Sequence, residues 1–444
     1  VMKYISTRNP DHRLSFSEAL INGLAADGGL YVPEHFGRFG AHDFDGRNHI
    51  RQIAHDLLAP FLEGDRLADS LPQICDETFG FDVKLVGLET MPPALAKAGA
   101  QTALLELFHG PTAAFKDIGA GFLAACMSRL NKGADKPLTV LVATSGDTGG
   151  AVAAAFHNKP NLNVVVLYPE GKVSPLQQKQ LTCWDGNVRT FGVRGVFDDC
   201  QRMVKEAFAD DAWRDAMNLT SANSINIGRL LPQMTYYAAA SLWHLRRHGV
   251  APNFIIPSGN LGNMMACVYA RECGVPIGEV VLAVNENRPV THYLETGEYR
   301  GFDTVPTLAN AMDVGDPSNM ERLRDLWPDV ETLRKKIRAI QVDDATISAT
   351  IKAGPQDWGE VFDPHTACGI AAREQLAAEN EAGAQNGGHW VVVSTAHPAK
   401  FDTIVEPLIG RKVDLPAQLA QLLDKPDYSS TIDPTLDALK AALS

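Results

Sequence analysis

The chain has 444 residues, 45% of them apolar and 21% charged, with a formal net charge of −13 at pH 7. This length suggests about two to three domains. No apolar run approaches the ~18 residues of a membrane span, and the acidic balance argues against a nucleic-acid partner, so a phosphate ligand would need its own local positive site. The seven cysteines are odd in number and include no C-x-x-C pair, which predicts buried free thiols in a reducing compartment and neither a disulfide frame nor a zinc site. Residues 1–20 lack the continuous apolar core of a signal peptide, so a soluble cytoplasmic protein is expected.

Along the chain, Ser15 is placed to cap a helix over Phe16–Leu20, and Asp27-Gly28-Gly29 reads as a turn before a short strand. The first 95 or so residues look like an accessory domain. From about residue 100 onward, apolar runs alternate with amphipathic stretches: 103–108, 138–143 (LTVLVA), 163–168 (NVVVLY), 188–193, 253–257 (NFIIP), 279–285 and 390–394 (WVVVS). That alternation predicts an α/β fold with parallel sheets and ligands at the C-terminal ends of strands.

The first strand-to-helix junction carries Lys116, after which Ile118, Phe122 and Cys126 recur at helical spacing. A lysine there can carry a cofactor or simply be solvated. After LTVLVA, the loop Thr144-Ser145-Gly146-Asp147-Thr148-Gly149-Gly150 converges hydroxyls and backbone N–H groups on a helix start, a nest suited to a carboxylate. It resembles the serine-protease GDSGG only superficially, because Thr148 replaces the nucleophile and the strand–helix alternation is wrong for that fold. Ser224-Ile225-Asn226-Ile227-Gly228-Arg229 offers a hydroxyl, an amide and a guanidinium that could bind phosphate, or a helix cap with a surface arginine. His244 and His248 have metal-ligand spacing but flank two arginines on an expected solvated helix, and 334–338 (RKKIR) reads as a basic helix face, so no metal site is expected. Ser258-Gly259-Asn260-Leu261-Gly262-Asn263 follows NFIIP and precedes a helix, as a phosphate cup or a plain turn would; it matches neither G-x-G-x-x-G nor a Walker loop. Residues 383–388 (GAQNGG) resemble a connector, and Thr395 ends the last strand, where its hydroxyl could meet a heteroaromatic nitrogen or the backbone.

A lysine, a phosphate cup, a hydroxyl nest and a late threonine together are what a pyridoxal 5′-phosphate enzyme needs. The motifs ELFHGPTAAFKD (106–117), ATSGDTGGAV (143–152), LYPEGKVSPLQQKQ (167–180), GVFDDCQRMVK (195–205), NSINIGRLLPQ (223–233), PSGNLGN (257–263) and TAHPAKF (395–401) closely resemble the threonine synthase family. FSEAL…GLAADGGLYVPE (16–34) resembles its bacterial and fungal branch.

The resemblance implies a fold-type II (tryptophan synthase β-like) enzyme with larger and smaller parallel-sheet domains and an N-terminal accessory domain. The expected division is 1–95 accessory, 96–124 with 223–444 larger, and 125–222 smaller. It further implies conversion of O-phospho-L-homoserine and water to L-threonine and phosphate, no membrane partner, and a monomer. By position, Lys116 resembles the cofactor-carrying lysine, Ser258 to Asn263 the cofactor-phosphate loop, and Thr395 the partner of the pyridine nitrogen. Thr144, Ser145, Gly146 and Thr148 resemble the substrate-carboxylate loop, with Asp147 bordering the cofactor's phenolic oxygen where many relatives of the fold type have Asn. Ser224, Asn226 and Arg229 resemble residues around the substrate phosphate. Another pyridoxal-phosphate lyase or phospholyase, or a non-catalytic cofactor-binding homologue, is the alternative reading.

Overall fold

The computed structural model describes residues 1–379 and 388–444; the stretch 383–388, apart from Gly388, lies outside the described residues. Runs such as NVVVLY and WVVVS have no polar face, which suits strands covered by helices on both sides. They build two sheets. The larger has six strands in the order Arg338–Gln341, Val280–Val284, Asn253–Pro257, His389–Ser394, Gln101–Glu106 and Lys84–Gly87. All its pairings are parallel except the last. The smaller has five, Ser430–Ile432, Val188–Val193, Leu162–Pro169, Leu138–Ala143 and Leu219–Thr220, all parallel.

Two short strands depart from the expected division. Ser430–Ile432 pairs with Val188–Val193, so the chain's last segment joins the smaller sheet, not the larger one to which 223–444 was assigned. Leu439 of the helix Leu436–Leu443 is packed into the core of that same sheet. Conversely, Lys84–Gly87, from the segment assigned to the accessory domain, forms the antiparallel edge of the larger sheet. Strands this short carry no readable periodicity, and the pairing of Ser430–Ile432 spans more than two hundred residues, which leaves no local trace.

The N-terminal segment forms a three-stranded antiparallel sheet, Asn9–Leu14, Tyr4–Ser6 and Tyr31–Pro33. Its helix Phe16–Asn22 starts as expected: Glu18 N donates to Ser15 Oγ at 3.3 Å, and Ser15 N donates to Glu18 Oε2 at 2.8 Å. This closes a capping box and satisfies two otherwise unpaired donors. Phe16 packs edge-on against Phe122 of the helix Lys116–Leu130, which also buries Ile118 and Cys126 completely. Each large apolar side chain so buried contributes about 1.5–3 kcal/mol. The helix Gln233–His248 corrects an expectation, because most of it runs through the core and only its last turn is solvated. His244 is buried, with Nε2 2.9 Å from Nδ1 of His389. Among the described residues no helix is long and apolar enough to cross a membrane.

Asn226, Thr220 and Arg322 are among the side chains that tie the N-terminal segment to the rest. Asn226 Nδ2 donates to Leu20 O at 2.8 Å, and Thr220 Oγ1 donates to Ile21 O at 3.0 Å. Arg322, fully enclosed, donates to Tyr31 O from Nε and Nη2, to Ile225 O from Nη2 at 2.6 Å, and to Asn319 Oδ1 from Nη1. Charge-assisted bonds are worth about 1.5–3 kcal/mol, and orphaned buried carbonyls add to the loss. Arg322→Met should therefore lower unfolding stability by roughly 3 kcal/mol in denaturant melts, with faster amide exchange in residues 223–229; a variant as stable as the parent would show that the guanidinium is dispensable.

Candidate active site

The loop after Gln101–Glu106 is held at both ends. Thr112 donates to Asp117 from its backbone N at 2.9 Å and from Oγ1 at 2.6 Å. Phe115 N donates to Thr395 O at 2.8 Å and His397 N to Ala113 O at 3.0 Å, so the loop is laced to the end of the strand His389–Ser394. Ala113 adopts a left-handed φ of 55° within it. Lys116 is thereby fixed as the first residue of its helix, beside a cavity of about 150 Å³. Burial pushes its amine down to about 8, Arg229 and Lys400 push the same way, and Asp147 opposes them. A lysine near 8 has a substantial neutral fraction at physiological pH, which is the form that can act as nucleophile or base.

The cavity's floor is the turn between the strand Asn253–Pro257 and the helix Gly262–Glu272. Leu261 takes a left-handed φ of 66°, and the turn aims a helix N-terminus at the cavity. None of the backbone N–H groups from Gly259 to Asn263 has an acceptor among the described residues. Ser258 Oγ and Asn263 Nδ2 are likewise buried without a partner, while Asn263 Oδ1 accepts from the Tyr236 and Tyr237 hydroxyls at 2.6 Å. Unpaired buried donors converging at a helix start fit a phosphate. Gly259 is required sterically, since a Cβ there would lie 2.6 Å from Met312 Cα; Gly262 is open, with nothing nearer than Asn319 Nδ2 at 3.5 Å.

A second anion site faces the first. Arg229 is 3% exposed, yet among the described residues its guanidinium makes a single hydrogen bond, from Nη1 to Ala222 O at 2.8 Å, and Nε has no partner. Burial pushes it down to about 10, and among the described residues no carboxylate forms an ion pair with it. The alternative of a helix cap with a surface arginine thus fails at its arginine. A buried guanidinium without an acid awaits an anionic ligand. Beside it, Asn260 Nδ2 donates to Ser224 Oγ at 2.5 Å, and Asn260 Oδ1 accepts from Ser318 N at 2.8 Å.

Lys116, Asp147, Thr148, Ser224, Arg229, Ser258 to Asn263 and Thr395 all line this cavity. Thr395 is buried at the cavity. Four expected residues do not line it. Asn226 is corrected from ligand to brace: its Oδ1 accepts from Gly228 N at 2.9 Å while Nδ2 holds Leu20 O, which uses both ends of the amide. Thr144 Oγ1 accepts from Gly146 N at 3.0 Å and Gly149 N at 2.9 Å, so it shapes the nest from within. Gly146 has φ 144° and faces Gln177, and Ser145 is exposed.

Asp147 is paired. Its Oδ1 lies 2.8 Å from Lys400 Nζ, an ion-pair contact that lacks the angle of a good hydrogen bond. Burial would raise the Asp147 carboxyl, but Lys400, then Lys116 and His365, outweigh it and hold the group well below the usual carboxylate range. Lys400, Gln233, Met312 and His365 belong to the site and were not anticipated. His365 sits between Asp363, whose Oδ2 is 2.7 Å from Nδ1, and Ala311 N, which donates to Nε2. Only Lys400 and Gln233 carried a signal, as members of TAHPAKF and NSINIGRLLPQ.

Residues 88–396 match the family model described as pyridoxal-phosphate dependent enzyme, which defines the class of this α/β fold and site. Residues 3–79 match the model for the threonine synthase N terminus, and residues 366–443 match that for its C-terminal part. A threonine synthase of Escherichia coli (strain K12) is 36% identical over 444 residues, covering 99% of this chain and 98% of that protein. The crystal structure of pyridoxal-phosphate-bound threonine synthase from Brucella melitensis superposes with a TM-score of 0.89 at 33% identity, covering 100% of this chain and 99% of that one; the yeast threonine synthase gives 0.90 at 30%, covering 99% and 98%. The chain belongs to the threonine synthase family.

Two outcomes follow from the cup's geometry. Gly259→Ala forces Cβ against backbone, a strain of about 1–3 kcal/mol, so spectrophotometric titration of the apoprotein with pyridoxal phosphate should show affinity lower by roughly tenfold to a hundredfold. Gly262→Ala should leave apoprotein stability within about 1 kcal/mol of the parent; equal tolerance at both positions would contradict this steric distinction. Separately, competitive acetylation of Lys116 in the apoprotein, read by peptide mapping, should rise with pH around a midpoint of about 8. Labelling that rises only with the surface lysines would count against the perturbed amine.

Proposed function

We propose that the chain converts O-phospho-L-homoserine and water to L-threonine and phosphate, using pyridoxal phosphate bound at Lys116. The observation that carries this reading is the pairing of two anion sites on one cavity, an amide cup at Gly259 to Asn263 and the uncompensated guanidinium of Arg229. The cofactor's phosphate takes the cup; a second site for a doubly charged group is what a phosphorylated amino acid requires and an unphosphorylated one does not. When bound, pyridoxal phosphate supplies an aldehyde carbon for the lysine and a conjugated ring that spreads negative charge arising at the substrate's Cα.

The chain's own groups do the rest. With its amine free, Lys116 Nζ would remove the Cα proton and then a Cβ proton as the γ-phosphate leaves, and would return protons to Cγ and Cα as water adds at Cβ. Arg229 holds that phosphate, with Ser224 and Asn260 beside it. The helix N-terminus at Asp147 and Thr148 orients the substrate carboxylate. Thr395 offers the ring nitrogen a hydroxyl, which does not enforce a protonated ring and so tempers charge withdrawal and disfavours transamination. A cytoplasmic, monomeric enzyme completes the proposal; the seven buried free cysteines support the compartment, and light scattering of the purified chain tests the monomer.

Incubation with O-phospho-L-homoserine followed by product analysis tests the reaction. Threonine and phosphate in equal amounts are expected; 2-oxobutyrate and ammonia in place of threonine would point to a lyase instead. Arg229→Ala should raise KM for the phosphorylated substrate by about one to two orders of magnitude, matching about 1.5–3 kcal/mol for a charge-assisted bond, with the bound-cofactor absorbance unchanged. Loss of cofactor with unaltered substrate capture when cofactor is restored would reverse the assignment of the two anion sites.

A further inference from the structure

Beside Lys116 the site buries a second lysine that the proposed reaction does not use. Lys400 is wholly enclosed, 0% exposed, and its Nζ donates to Thr112 O at 2.8 Å while lying 2.8 Å from Asp147 Oδ1. Both anchors are rigid. Thr112 is clamped to Asp117 in the loop that carries Lys116, and Asp147 is the first residue of the helix Asp147–Phe156. The backbone before Lys400 is laced to the same loop through His397 N and Ala113 O.

The charges facing Lys116 are Asp147 from that helix, Arg229 from the helix Ile227–Leu230, and Lys400 from the short helix Pro398–Phe401. His365, from Pro364–Glu379, faces Asp147. A buried carboxylate that stays ionised is stabilised by a nearby cation. Without Lys400, the cation nearest in role to Asp147 would be Lys116 itself, and an ammonium locked in an ion pair is neither nucleophile nor base.

We propose that Lys400 is a positioning residue for Lys116: by claiming the Asp147 carboxylate it prevents that carboxylate from capturing the Lys116 amine, which stays available as a free base. The inference rests on the reading of Lys116 as the cofactor-carrying lysine, and it explains how an aspartate can stand where a neutral asparagine would do. It also makes positions 147 and 400 one unit, because each charge is tolerable only with the other.

The test is the pH profile of Lys116 acetylation in the full-length apoprotein, a readout that a merely structural lysine would not move. Lys400→Met and Lys400→Gln, the latter still able to donate to Thr112 O, should shift the midpoint upward by about one unit or more, which is a tenfold smaller neutral fraction below it. Asp147→Asn alone should shift it downward, since Lys400 then repels Lys116 unopposed. Asp147→Asn combined with Lys400→Gln should bring it back to the parent's value or below. Folded Lys400 variants with the parent midpoint overturn the proposal, and if they do not fold, an unchanged or raised midpoint in Asp147→Asn overturns it equally. The underlying reading fails separately: borohydride reduction of the parent holoprotein would then trap the cofactor on a residue other than Lys116, whatever the midpoints are.

Discussion

Withdrawal of charged side chains from water is the constraint on which this structure turns. Lys116, Asp147, Lys400 and Arg229 share one small enclosed region, and none can be moved or neutralised without changing the others. In such a place the Coulomb energy of neighbouring charges greatly exceeds its value in water. The pattern resolves into one matched pair, Asp147 with Lys400, and two cations left over. The leftovers are the groups to which the proposed chemistry assigns its roles: an amine made less basic by burial, and a guanidinium whose Nε has no partner.

Holding this arrangement requires backbone that does not relax, and the fold supplies it at strand ends. The Lys116 loop is stitched to the end of the strand His389–Ser394, and Gly259 presses against Met312. The N-terminal segment belongs to the same scheme. Asn226 and Arg322 fasten the 223–229 segment to Leu20 and Tyr31, so residues remote from any ligand set the place of Arg229. Gly228 would meet Leu20 at 2.6 Å if it carried a Cβ, which leaves this junction no slack. An accessory segment that braces an anion site is a part of that site's geometry.

What could be read from sequence follows from how local each feature is. The valine-rich strands, the Ser15 cap and the lysine at a strand-to-helix junction are written within a few residues, and all appear in the fold. The glycine loop read equally as a phosphate cup or a plain turn, and neither its unpaired amides nor the pressure of Met312 on Gly259 could be seen in the sequence. Asn226 misled because its partner lies 206 residues away, and an amide reads the same whether it holds a ligand or a carbonyl. Lys400 stood within a recognisable motif, but its meaning depends on Asp147, with which it shares no local pattern. His244, flanked by arginines, looked solvated because only the last turn of a buried helix escapes the core.

The two anion sites use different chemistry, and the difference suits their proposed occupants. Neutral amides at a helix start lose little when empty, and when filled they hold a phosphate without introducing a compensating charge that would disturb Lys116. A resident cofactor is well served by that. A guanidinium stripped of water and denied a carboxylate is unfavourable when empty, and an arriving dianion relieves the deficit as well as forming bonds. Under the proposed assignment, part of the attraction for the substrate is therefore built into the protein as the cost of an unpaired Arg229 Nε, maintained by the enclosure around it. The same positive charge helps keep the Lys116 amine neutral, so the group proposed for the substrate's phosphate also conditions the amine proposed as the base at its Cα. When a dianion neutralises Arg229, that repulsion ends and Lys116 becomes more basic, which favours its taking up a proton after the substrate has arrived and not before.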